Sequence, residues 1–378
     1  MSFRATTLGL TCLTSLLIGG SVRADYQLRD LGVLPSGTFS QGLAINSSGQ
    51  VAGFGNVIVN SVVVQHALIT QSGQIPTDVS SSIGTRKSTG RAINDGGIVA
   101  GSADSGGVTQ AASFASGSVT LITLMSGATS ADGYGIDAAG HVVGVAILAG
   151  GITHGFRSDS NGGMSDLGVI NPGGSSEALG TNASGLTVGF ATDDKGKTRA
   201  VRAAPGGIFT LILTLLPGGS SSQATAVNSL GVIVGSADRF GSIRAAVFNP
   251  DNTVRDLGLL SGGTSSHANS INTAGLIVGQ ADTGGSLRAV LTDTNGNGLI
   301  DLNSLVDPGL GWTLTSATGI NDLGMITGVG TLNGRDHAFL LTPGVVPEPA
   351  SLILMTLGGV FLALSRLRPG RSKAPAVA

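Results

Sequence analysis

The sequence predicts an all-β protein: a propeller-like ring of seven repeats, each a four-stranded unit of about 46 residues. Three observations carry this. The pattern Ile-Asn-x-x-Gly-x-Val-x-Gly, or a close variant, recurs seven times and closes at Gly53, Gly101, Gly144, Gly189, Gly235, Gly279 and Gly328. Those glycines are 48, 43, 45, 46, 44 and 49 residues apart. Glycine supplies 62 of 378 residues, over twice the usual share of about 7%. The same units could instead stack in line, so an open β-solenoid is the alternative architecture.

Each part of the repeat has a physical reading. Asn46, Asn94, Asp137, Asn182, Asn228, Asn272 and Asn321 open it. An Asn or Asp side chain bonds backbone two residues on and starts a turn. The glycine three residues later, Gly49 in the first copy, supplies a left-handed position. Together they predict a tight hairpin. Val51, Val99, Val142, Thr187, Ile233, Ile277 and Ile326 follow, all β-branched, as a strand prefers. The next residue is mostly apolar too, which predicts a strand covered on both faces. The closing glycine is read as a close backbone approach or a bend.

Two weaker motifs flank this core. Asp-Leu-Gly precedes it at Asp30-Leu31-Gly32, Asp166-Leu167-Gly168 and Asp256-Leu257-Gly258, with relics at Asp78-Val79 and Asp301-Leu302. Gly/Pro turns often come next, as in Leu34-Pro35-Ser36-Gly37 and Leu216-Pro217-Gly218-Gly219. A polar–small–apolar triad follows the core, as His66-Ala67-Leu68, His154-Gly155-Phe156, Arg199-Ala200-Val201, Arg288-Ala289-Val290 and His337-Ala338-Phe339. The repeat domain is bounded at residues 25–344.

The ends read differently. Residues 1–24 form a signal peptide, with Arg4 ahead of an apolar stretch and a small-x-small site before Asp25. Cleavage is expected between Ala24 and Asp25. The only cysteine, Cys12, lies in that segment, so disulfides and thiolate metal sites are not expected in the mature chain. Residues 345–378 carry Pro347-Glu348-Pro349, then an apolar run over 352–364, then Arg366, Arg368 and Arg371. The run is shorter than the roughly 20 residues that span a bilayer. It is expected to be a short transmembrane helix acting as a transient anchor in the inner membrane. These parts, in this order, resemble the PEP-CTERM sorting signal, with Pro347, Glu348, Pro349, Arg366 and Arg368 as its carrying residues. The resemblance implies a Gram-negative bacterium with an exopolysaccharide system, and processing by an exosortase after signal peptidase has acted.

The Asp-Leu-Gly, Ile-Asn-x-x-Gly and His-Ala-Phe patterns together resemble the HAF-repeat extracellular proteins. The seventh unit carries the likeness most fully, through Ile320-Asn321, Gly324, Gly328 and His337-Ala338-Phe339. That family implies export and no defined catalytic activity.

Chemistry is sparse. Charged residues are 11% of the chain and aromatics 4%. No basic cluster suits phosphate, so nucleic acid is not an expected partner. Three of the five histidines open the triad, at the repeat period, and swap there with Arg and Gln, which favours a structural role. There are two glutamates, Glu177 and Glu348, and no nucleophile elbow on a strand-to-helix turn. No catalytic residue is nominated. One local segment follows the start of a calcium loop, with Asp293, Asn295, Asn297 and Asp301 as candidate ligands. The twelfth position is Ser304 rather than a bidentate carboxylate, and a turn-rich insertion explains the same residues. The expected function is a non-enzymatic surface or biofilm-matrix module that binds exopolysaccharide or surface proteins. The alternative is an extracellular polysaccharide-active hydrolase or lyase on the same fold.

Overall fold

The computed structural model describes residues 26–344 except 116, 160, 161, 213, 214, 252 and 293–297. The chain forms seven four-stranded antiparallel sheets arranged as a seven-bladed β-propeller. The solenoid alternative falls. The inner strands are Ser40–Ile45, Ser88–Ile93, Ala128–Ile136, Ser176–Thr181, Ser222–Val227, Ser266–Ile271 and Trp312–Ile320, in blades 1 to 7.

Blade 7 closes the ring. Its outermost strand is the first strand of the chain, Tyr26–Asp30, paired antiparallel with Arg335–Pro343. The Asp-Leu-Gly motif ahead of each turn therefore belongs to the outer strand of the preceding blade, a permutation by one strand relative to the sequence units. The cause is local pairing: Asp30 lies opposite Phe339, Asp78 opposite Leu68, and Asp166 opposite Phe156. The triad strand takes the nearest outer partner.

The blades stack face to face, so their second strands must be apolar on both sides. Val51, Ala52, Val99, Ala100, Ile233, Val234 and Ile326 are all at most 2% exposed. Separate apolar clusters fill the spaces between sheets, anchored by Phe114, Phe156, Phe248 and Phe339.

The closing glycine has a specific cause. Every inner strand carries a bulge three residues before its turn, at Leu43, Arg91, Tyr134, Leu179, Thr225, Asn269 or Thr318. A bulge twists the strand locally, and here it brings the carbonyl two residues before the bulge onto the glycine opposite. A Cβ on Gly101 would sit 1.8 Å from the Thr89 oxygen, and one on Gly189 1.9 Å from the Glu177 oxygen. The neighbour is backbone and cannot swing aside. Gly189→Ala is expected to destabilise the fold by about 1–3 kcal/mol, the usual effect of overpacking, measured by urea unfolding. Unchanged stability would show that the bulge relaxes freely.

Candidate functional site

The seven turns meet at one mouth of the central channel, around a cavity of about 240 Å³. Each turn is built the same way. The Asn46 amide N–H donates to the Gln50 oxygen, and the Gly49 N–H donates to the Asn46 oxygen. The side-chain Oδ1 then accepts the Gln50 N–H at 2.9 Å. All seven copies repeat this Oδ1 bond, including Asn228 with Val232 and Asn321 with Met325.

The other end of the amide reaches the next blade. Asn46 Nδ2 donates to the Asn94 oxygen at 3.2 Å, Asn182 to Asn228 at 2.9 Å, Asn228 to Asn272 at 3.0 Å, and Asn272 to Asn321 at 3.2 Å. Asn321 Nδ2 returns to the Asn46 oxygen at 3.0 Å. Asparagine fits because its short amide offers an acceptor for its own turn and a donor for its neighbour.

Blade 3 departs from the pattern. Asn94 donates to the Asp137 oxygen, but Asp137 has no amide to pass the chain on. Its buried carboxylate takes Arg157 at 2.7 Å and His141 at 2.9 Å. Arg157 then donates through its other terminal nitrogen to the Gly185 oxygen in the turn of blade 4. An ion pair thus spans the gap that the missing amide leaves.

Further along the channel the bulge residues bridge blades. Thr225 Oγ1 donates to the Ala268 oxygen, Asn269 Nδ2 to Ala317, and Thr318 Oγ1 to Gly42. Across blades 2 and 3 the same positions hold Arg91 and Tyr134, with the guanidinium 5.1 Å from the ring centre. Arg91 also lies 3.9 Å from Asp132. Burial and the charge of Asp132 push the Glu177 carboxyl above its ordinary range. Burial, with Asp132, likewise raises the Tyr134 phenol. The sequence signal for this polar group was an irregularity: Arg and Tyr where other blades have Leu, Thr or Asn.

The triad histidines each pair with an aspartate on the outer strand of their own blade. His66 Nδ1 meets Asp78 at 2.6 Å, His154 meets Asp166 at 2.8 Å, and His337 meets Asp30 at 3.0 Å. The other Asp oxygen receives the N–H two residues on, as from Gly32, Ser80 and Gly168. Burial disfavours the His66 cation, yet the Asp78 bond and charge outweigh it and raise the imidazole. A buried serine locks the next blade on. Ser40 Oγ accepts the Ala338 N–H and donates to the Gly32 oxygen. Ser176 and Ser266 repeat the pair of bonds with Gly155 and Gly168, and with Ala245 and Gly258.

Several sequence assignments lie outside the described residues: Ala24 and Asp25 at the expected cleavage site, Pro347, Glu348, Pro349, Arg366 and Arg368 of the sorting signal, and Asp293, Asn295 and Asn297 of the calcium loop. Asp301 is described, and it works as a turn residue. Its Oδ1 accepts the Asn303 N–H at 2.9 Å, and its Oδ2 lies 3.7 Å from Arg288. Among the described residues no cluster of three or more His, Cys, Asp or Glu could hold a metal ion.

One expectation is corrected. Among the described residues no helix is long and apolar enough to cross a membrane. The helices there are short 3₁₀ turns, Ser81–Ile83, Leu302–Leu305 and Pro308–Leu310, against about 20 residues for a span. The run over 352–364, expected to be a transmembrane helix, lies outside the described residues. The transmembrane helix, the transient anchoring through it and the inner-membrane location are therefore not retained.

The PEP-CTERM protein-sorting motif matches residues 345–368. A PEP-CTERM sorting motif is present near the C-terminus. It supports export to the cell surface or beyond. No curated protein matches the chain. Among solved structures, a puromycin hydrolase variant complexed with PGG is 13% identical, with a TM-score of 0.51, covering 82% of this chain and 54% of that one. Virginiamycin B lyase from Staphylococcus aureus is 11% identical, with a TM-score of 0.48, covering 84% and 99%. TolB from Acinetobacter baumannii is 17% identical, with a TM-score of 0.45, covering 66% and 62%. At such identities the likeness concerns the fold.

The blade 3 substitution makes a sharp test. Arg157→Ala leaves the buried Asp137 carboxylate with His141 as its remaining ion-pair partner and cuts the link to Gly185, and is expected to destabilise the protein by about 3 kcal/mol. Adding Asp137→Asn supplies the amide used elsewhere in the ring, and most of the loss should return in urea unfolding. A double variant no more stable than the single one would refute the substitution of ion pair for amide.

Proposed function

We propose that this PEP-CTERM-bearing propeller is a non-enzymatic module of the cell surface or biofilm matrix, of the HAF-repeat kind, that binds exopolysaccharide or surface proteins. The observation that carries the reading is where the reactive side chains go. The triad histidines pair with the aspartates of their own blades, the asparagines tie the turns together, and the buried serines clasp neighbouring blades. The repeated polar groups thus hold the ring, which leaves its surface loops to vary for binding. The sorting motif at residues 345–368 supports delivery by exosortase processing, following signal peptidase.

The test has two arms. Replacing Pro347, Glu348 and Pro349 together by Ala should abolish surface delivery while the protein is still made, read by surface labelling of intact cells. Purified protein should co-sediment with exopolysaccharide from the producing cells or with surface protein. Unchanged delivery, or sedimentation of neither partner, would overturn the reading.

A second reading, a polysaccharide hydrolase or lyase, draws on Glu177 alone. A carboxyl whose neutral form is favoured by burial and by the charge of Asp132 is suited to general-acid work. Incubation with exopolysaccharide is expected to yield no new reducing or unsaturated ends. Ends that appear with the native protein and vanish in Glu177→Gln would instead establish the enzyme.

A further inference from the structure

The hairpins joining the second and third strands of the blades permit an internal comparison. In four of them, blades 1, 2, 5 and 7, the tip is two residues and both are left-handed, the turn that suits the twist of an antiparallel pair. The first tip residue is Asn60 in blade 1, Gly106 in blade 2 and Asn333 in blade 7. Asn and Gly are the residues that tolerate this conformation. In blade 5 it is Phe240, at φ 51°. A bulky side chain is disfavoured there, and burial does not compensate, because Phe240 is 77% exposed. Strain of this kind persists where the surroundings hold it, and such positions gather at ligand sites.

The surroundings do hold it. The ring rests against bare backbone at Gly218 in the Leu216-Pro217-Gly218-Gly219 turn. A Cβ there would come within 2.2 Å of the Phe240 Cε1. The rest of the ring faces an open groove of about 560 Å³ between the blade 5 hairpin and the loop entering blade 6. Ser242, Arg244 and Thr264 wall the groove, with Ile243 and Leu259. Its polar groups are fixed beforehand. Ser242 Oγ donates to the Thr264 oxygen at 2.5 Å, and Arg244 Nε donates to Ser242 Oγ at 3.2 Å. Arg244 stays partly open, with its guanidinium 3.9 Å from Asp256, which Arg239 already pairs at 2.9 Å.

We infer that this groove is a carbohydrate-binding site in which Phe240 is the platform for one pyranose ring. The electron-rich face of an aromatic ring attracts the slightly positive C–H groups on the apolar face of a sugar. The partly open Arg244 guanidinium supplies donors, and the wall hydroxyl oxygens, whose own protons go to the Thr264 oxygen and to Asp282, supply acceptors for the hydroxyl edge. A protein partner fits less well, since a standard protein interface engages roughly 20–30 residues a side, and the groove is lined by nine. The inference rests on the polysaccharide-binding reading above and gives it a location.

The test runs the full chain in native gels cast with a soluble glucan, galactan or mannan, beside Phe240→Asn and Phe240→Trp. Phe240→Asn installs the residue that blades 1 and 7 already use, so its thermal unfolding should be unchanged or higher. At least one polysaccharide should retard the native chain, with Phe240→Asn bound about tenfold more weakly and Phe240→Trp still bound. Equal retardation of native chain and Phe240→Asn would overturn the site while the polysaccharide reading stands. No retardation of the native chain by any of the three would overturn both. A drop of several degrees in unfolding for Phe240→Asn would make Phe240 a packing residue and overturn the site. Binding of a surface protein in place of polysaccharide, lost in Phe240→Asn, would also overturn it in favour of a protein partner.

Discussion

Seven sheets arranged radially leave seven hairpins crowded at one mouth, and their backbone groups must be satisfied without a regular ladder. The asparagine side chain solves this with its two ends. Its oxygen closes the turn to which it belongs, and its amide nitrogen reaches the main chain of the next turn. Local folding and ring assembly are thereby tied to one residue type. The bulge on each inner strand, the glycine facing it and the serine clasp all keep the inner strands in the position where that reach of about 3 Å is met.

The repeat, its strand count and the turn were legible in the sequence because they are local. Ile-Asn-x-x-Gly-x-Val-x-Gly encodes a turn and a doubly covered strand within nine residues, and Val51, Val99 and Ile326 are buried as that pattern requires. The closing glycine was legible as a close approach, though not that its neighbour would be the carbonyl beside a bulge. What the sequence concealed depends on partners far along the chain. Asp-Leu-Gly pairs with the triad strand before it, so Asp30 meets His337 rather than a neighbour in sequence. The role of Arg157 was hidden because Asp137 looks like a tolerated variant of Asn until the missing donor is counted.

The candidate surface was less legible still. Arg91, Tyr134 and Glu177 gather only once blades 2, 3 and 4 stand side by side. Phe240 is unremarkable in the sequence, because a Phe-Gly pair signals nothing until its backbone is seen to be left-handed. The repeated residues support the ring, and the departures from the repeat are where individuality lies.

The pairing of Tyr26 with Pro343 orders events in time. A strand synthesised near the beginning must wait, unpaired, until one synthesised near the end arrives. Closing a loop of that length carries an entropic penalty that grows only slowly with chain length, but it comes due in one late step. The six blades completed from consecutive sequence can assemble progressively. The seventh cannot, because its outermost strand, Tyr26–Asp30, pairs only with Arg335–Pro343. A chain lacking Arg335–Pro343 would leave Tyr26–Asp30 without its partner strand, so that one late segment both completes the last blade and ties the first strand into it.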